Sequence, residues 1–295
     1  NMCNLGCVSC SAHSSSFFVK EINKTKTDIT LFKDDFQRRY HRYNKLNVNW
    51  YENPDFWDKI ETYLENVNYI YLAGGEPTII KENWSFLEKL VDYGYAKNIK
   101  LGISTNLTNV QPKHVEIYNS FKKTLIYSSI DGYGKVNDYL RYPSKWSAIS
   151  KNFEKLCKEC NNNVEFKVIP VINIFTVWTI ETLCDYIDTV KETTDANIEF
   201  SSHTLLRDPD YMNIKNLPDN AKHELLEIVN RLSERFDDND FQIERLRNYI
   251  KNSLGKGNVD IFKNGKKYTE AFDNMRKNSW QTVIPELKKY WREDG

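Results

Sequence analysis

Tyr69-Ile70-Tyr71-Leu72-Ala73-Gly74-Gly75-Glu76-Pro77 reads as a short apolar strand that ends in a glycine-rich loop carrying one carboxylate. A helix follows it, because Trp84, Phe86, Leu87, Leu90 and Val91 recur at helical spacing and Gly94 closes the run. The unit then repeats. Residues 99–104 form a strand ending at Thr105-Asn106, and residues 114–121 are helical after Pro112. Residues 124–130 form a third strand ending at Asp131-Gly132, before a helix over 146–160. A strand over 164–172, a helix over 180–190 and a strand over 198–201 complete the series. Upstream, Asn53-Pro54 starts a helix with Phe56, Ile60, Tyr63 and Leu64 at helical spacing. Strands alternating with helices imply βαβ units and a parallel sheet. The strands are nearly all apolar, as expected of a sheet covered on both faces.

Further upstream stands Cys3-Asn4-Leu5-Gly6-Cys7-Val8-Ser9-Cys10, three thiols at C-x3-C-x2-C spacing about a glycine that permits a tight backbone. A [4Fe–4S] cluster whose only task is electron transfer takes four thiolates. Three thiolates leave one iron open, and an open metal position lets a site bind a ligand and do chemistry. On the triplet alone, a zinc knuckle or free thiols compete with that reading. The Gly74-Gly75 pair lets backbone approach a small ligand closely, and its carbonyls beside the Glu76 carboxylate suit a cationic amine.

Together the cysteine loop and the Gly-Gly-Glu-Pro tetrad resemble the radical S-adenosylmethionine (radical SAM) superfamily. Counting a strand expected before Cys3 gives six βα units, so the resemblance implies an α/β fold, an incomplete (β/α)6 barrel (partial TIM barrel). In such a barrel chemistry collects at the C-terminal ends of the strands. The stretches 72–77, 104–108, 129–132 and 137–146 further resemble the SPASM/twitch-domain-containing subgroup. By that resemblance Cys3, Cys7 and Cys10 hold the cluster, while Gly74, Gly75, Glu76 and Pro77 receive the amino group of SAM. Ser129 and Asp131 then lie near its ribose or carboxylate, Arg141 pairs with the carboxylate, Asn106 points into the pocket, and Ile169 and Val171 line the adenine. The resemblance implies reductive cleavage of SAM to a 5′-deoxyadenosyl radical that abstracts a substrate hydrogen. It leans toward a peptide or protein substrate, with an electron donor such as flavodoxin or ferredoxin. A non-catalytic iron–sulfur or zinc-binding module on the same fold is the alternative. Three departures stand out: Ser9 replaces the usual aromatic before the third cysteine, Leu107 replaces a common glycine, and no cysteine follows Cys184. The last makes an auxiliary cluster in the C-terminal region improbable.

Beyond Arg207-Asp208-Pro209 the alternation stops. Helices are expected over 221–236, 241–250 and 269–291, with Gly255-Lys256-Gly257 marking a hairpin or loop. The division is therefore a core barrel over 1–205, with a lid-like insertion at 11–52, and a mostly helical C-terminal extension over 206–295. Within 11–52, Arg38-Arg39-Tyr40-His41-Arg42-Tyr43 reads as a solvated helix face rather than a nucleic-acid grip. The 295 residues are 40% apolar with a formal net charge of zero, which argues for a real core and against nucleic acid or an anionic membrane as the main partner. The longest apolar run, residues 168–178, is too short to span a bilayer. Cys157, Cys160 and Cys184 lie toward opposite ends of the barrel. At about 1.5 Å per helical residue their axial mismatch is on the order of 10 Å, too far for one cluster. Unpaired clustering of this kind suits a reducing cytoplasm.

Overall fold

The computed structural model describes residues 2–10, 14–24, 50–201, 204–235 and 241–291. Most of the lid-like insertion and the whole 38–43 cluster therefore lie outside the described residues. Five parallel strands form one sheet: β1 (Tyr69–Leu72), β2 (Lys100–Thr105), β3 (Lys123–Ser128), β4 (Val164–Val168) and β5 (Ile198–Phe200). Their spatial order is their sequence order, β1-β2-β3-β4-β5. A doubly wound sheet reverses its strand order at a switch point. This one never does, so it is the wall of an open, incomplete barrel. The fourth strand is shorter than expected, and only an isolated parallel bridge, Ile172 to Leu205, continues the pairing beyond it.

Two helices precede the sheet, α1 (Ser16–Lys24) and α2 (Pro54–Glu61). Asn53 caps α2 by accepting the Asp55 N–H at 3.0 Å. Helices α3 (Lys81–Asp92), α4 (Pro112–Ser120), α5 (Lys135–Leu140), α6 (Trp146–Glu159) and α7 (Ile180–Thr194) connect the strands. Leu87, Leu90, Phe153, Leu156, Leu183 and Ile187 from these helices share one buried cluster with Leu101, Ile103, Ile126, Phe166 and Val168 of the sheet.

Only one face of the sheet is built that way, which corrects the expectation of strands buried on both sides. Burial alternates along β3, β4 and β5, with Thr124, Ile126, Val164, Phe166, Ile198 and Phe200 inside. The opposite face carries Tyr69, Tyr71, Ser104, Tyr127 and a row of charges. Lys123 pairs with Glu165 at 2.6 Å, and Lys167 with Glu199 at 2.7 Å. Tyr69 and Tyr71 stack with centroids 6.4 Å apart and stay 46% and 49% exposed. Gly102 makes room for them: a Cβ there would come within 2.6 Å of the Tyr69 hydroxyl.

After β5 the chain is helical: α8 (Asp219–Ser233), α9 (Phe241–Ser253), α10 (Val259–Arg276) and α11 (Trp280–Val283). Residues 255–257 are a loop between α9 and α10, with no hairpin among the described residues. Helix α10 begins ten residues earlier than the apolar spacing suggests. Asn258 caps it, accepting from the Asp260 and Ile261 N–H groups, and Gly265 lies inside it because a Cβ would meet the Tyr211 carbonyl at 3.0 Å. No helix among the described residues is long and apolar enough to cross a membrane.

His114 stacks on Trp84 with ring centroids 3.6 Å apart, and burial lowers its pKa to about 4. The native state therefore resists protonating a group that the unfolded chain protonates near pH 6.5. This contribution is complete above about pH 6.5 and is lost as pH falls toward about 4. The midpoint of thermal unfolding should drop more steeply over that window in the wild type than in His114→Gln.

Candidate functional site

The cysteine loop has no regular secondary structure, and its backbone groups find partners elsewhere. The Met2 carbonyl accepts the Glu76 N–H at 2.8 Å, which fastens the loop to the end of β1. The Ser16 hydroxyl, at the start of α1, accepts the Cys3 N–H at 3.1 Å and donates to the Cys3 carbonyl at 3.0 Å. Gly6 N–H donates to the Tyr142 carbonyl at 2.7 Å and Val8 N–H to the Leu140 carbonyl at 2.9 Å, so the end of α5 supports the second cysteine. Asn4 completes the frame, accepting from the Asn106 amide at 3.0 Å and donating to the Thr108 hydroxyl at 2.8 Å.

Glu76 is the tie between β1 and β2. Its Oε1 accepts from the Thr78 N–H (3.1 Å), the Thr78 hydroxyl (2.7 Å) and the Thr105 hydroxyl (2.9 Å), and its Oε2 from the Asn106 N–H (2.5 Å). Burial pushes its pKa up while these bonds pull it back. The carboxylate thus faces inward, and Gly74 (φ +101°) and Gly75 present backbone to the cavity instead. Next along, Leu107 holds φ +62° with its side chain fully buried. This left-handed position is the physical reason a glycine is common there.

Asp131, at the end of β3, forms an ion pair with Arg141 Nε at 2.8 Å and accepts the Val171 N–H at 2.8 Å. The Arg141 Nη1 then lies 4.0 Å from Cys7 Sγ. Burial pushes the Cys7 thiol up to about 12, opposed by the Arg141 charge, and the Cys3 thiol is raised as well.

A cavity of about 410 Å³ opens between the loop and the strand ends. Cys3, Cys7, Cys10, Gly74, Gly75, Glu76, Asn106, Ser129, Arg141 and Val171 line it together. Pro77, Asp131 and Ile169 stand outside the lining: Pro77 starts a buried turn, Asp131 lies behind Arg141, and Ile169 N–H bonds the Ser128 carbonyl. Sequence reasoning missed Ser104, Thr105, Thr204 and Leu206, which also face the cavity. The first two immediately precede Asn106. The last two follow β5, where the rule that chemistry collects at strand ends would have found them. Among the described residues no three His, Cys, Asp or Glu side chains converge on a single ion. Cys157 and Cys184 are buried, and burial pushes the Cys160 and Cys184 thiols up to about 12.

A family model of the radical SAM superfamily matches residues 1–192. The chain belongs to the radical SAM superfamily. No curated protein matches it. Among solved structures, this radical SAM chain is similar to SuiB of Streptococcus suis bound to S-adenosylmethionine, with a TM-score of 0.44 and 17% identity. The alignment covers 79% of this chain and 45% of that one. SuiB bound to the precursor peptide SuiA gives the same score and identity, with 79% and 44% covered. The chain thus spans less than half the length of the solved structures it matches.

Replacing Glu76 by Gln turns an amide NH2 toward donors that now meet a carboxylate. Glu76→Gln should lose about 2–4 kcal/mol of stability in urea unfolding, since bonds to buried charged groups are the costly ones to break.

Proposed function

We propose that this chain binds a [4Fe–4S] cluster through Cys3, Cys7 and Cys10, takes SAM into the same cavity, and acts as a radical SAM enzyme. The observation that carries the reading is the shared cavity: three thiols open onto the same space as the Gly74-Gly75 backbone. The donor set fits. A four-iron cluster takes one thiolate per iron, so its ligands need not converge on one point as those of a single ion do. With cluster and SAM bound, the chemistry supplied is reductive cleavage to methionine and a 5′-deoxyadenosyl radical, which removes a hydrogen atom from the substrate.

The chain's own residues bind and orient. The three thiols lose their protons on binding iron, which their burial otherwise opposes. The Gly74 and Gly75 carbonyls take the amino group, because the Glu76 carboxylate is spent on Thr78, Thr105 and Asn106. Arg141, oriented by Asp131, offers its planar fork to the carboxylate. Ser129 reaches the ribose, and Val171 with Ile169 nearby makes the apolar side for adenine. Asn106 holds the loop through Asn4 rather than pointing free into the space.

The subgroup reading, SPASM/twitch-like, rests on the motif stretches of the sequence, and with it a peptide or protein substrate. A flavodoxin or ferredoxin supplies the electron in a cytoplasmic setting. Residues 1–205 serve as the catalytic core and 206–295 as the helical extension.

Anaerobic reconstitution with iron and sulfide, followed by reductant and SAM, should release 5′-deoxyadenosine even without substrate. Cys7→Ala should abolish that release and most of the bound iron. Protein isolated under strict anaerobic conditions with zinc and no iron would sink the assignment.

A further inference from the structure

Gly6 stands between the first two cysteines, and its carbonyl is held from behind the loop. Arg276 Nη2, in the last turn of α10, donates to that oxygen at 2.6 Å. The same guanidinium grips Glu21 of α1 with two bonds, Nε to Oε1 at 3.0 Å and Nη2 to Oε2 at 2.7 Å. Its carbon lies 4.8 Å from the ring centroid of Tyr142 and 4.7 Å from that of Phe272. Only 2% of the Arg276 side chain and 11% of Glu21 are exposed. A buried ion pair of this kind is weak evidence for stability, because desolvation offsets most of the attraction. Its worth lies in geometry, since the planar fork fixes where its partners sit.

What it fixes is the cysteine loop. Tyr142, whose ring covers the guanidinium, also accepts the Gly6 N–H through its carbonyl. The Gly6 residue is therefore bonded at its nitrogen by one element and at its oxygen by another. A Cβ at position 6 would lie 3.0 Å from Arg276 Nη2 and 3.1 Å from Glu21 Oε2, so the absent side chain is what admits the clamp. Phe18, Ile22 and Phe272 form a small apolar cluster that docks α1 on α10 beside it. Arg276 does not line the cavity with the thiols.

From this arrangement we infer that Arg276 is a positioning residue for the cysteine loop, by which the C-terminal helix sets the spacing of Cys3 and Cys7. Its consequence for iron binding rests on the function proposed above; the mechanical claim does not. The ammonium of Arg276→Lys keeps the charge but cannot bridge Gly6 and both Glu21 oxygens.

Hydrogen exchange on the metal-free chain tests the claim directly. In Arg276→Lys the Gly6, Val8 and Cys10 amides should exchange roughly tenfold faster, while amides of β2 and β3 keep their wild-type rates. Gly6→Ala, which crowds the guanidinium out, should give the same local pattern and serves if Arg276→Lys does not fold. On reconstitution, both variants should hold less than half the wild-type iron, with the remaining cluster showing a broadened EPR signal on adding SAM. Unchanged exchange in the loop, or acceleration spread equally over β2 and β3, overturns the assignment. A wild-type protein that takes up no iron sinks the proposed function alone and leaves the exchange comparison standing.

Discussion

An irregular loop keeps a fixed shape only when its peptide groups are bonded to something rigid, because buried donors and acceptors left unpaired cost too much to persist. The stretch from Met2 to Cys10 meets that constraint by borrowing. Its partners come from the tetrad after β1, from Asn106 and Thr108 after β2, from the end of α5, from α1 and from α10. No single element builds the thiol triangle. Its geometry is a property of how the whole barrel end is assembled.

Glu76 shows how such assembly limits chemistry. With one carboxylate oxygen serving three donors and the other a fourth, the side chain joins two strand ends and has nothing left for a ligand. The two glycines beside it are freed for that role because the acid is not. Asp131 does the same one strand further on, tethering Arg141 and the Val171 backbone with its two oxygens. Acids behind the wall orient the groups that reach through it.

Much of this was legible in the chain. The βα alternation, the Asn53 cap and the thiol and glycine clusters are local signals, and local signals survive into the fold. Other features depend on distant partners. Tyr69, Tyr71 and Tyr127 count as apolar in a strand pattern, yet their phenol ends suit a wet surface, so the exposed face went unread although Lys123, Glu165, Lys167 and Glu199 alternate in the same strands. Gly265 weakens the helical pattern of α10, and only the Tyr211 backbone against it explains the residue. Leu107 looked like a lost glycine. Its backbone does adopt the strained conformation, at a cost of roughly 1–2 kcal/mol, and full burial of the side chain offsets it with roughly 1.5–3 kcal/mol. The bond between Gly6 and Arg276 spans 270 positions and leaves no local trace.

The charged and phenolic row on the sheet's uncovered side has a further consequence. Lysine–glutamate couples and tyrosine hydroxyls remain content in water, so half a pipe with this inner coat needs no guest to stay dissolved. A molecule settling there displaces hydration instead of shielding grease. Such a wall rewards a visitor that replaces the lost water contacts group for group, and turns away one that merely fills the space.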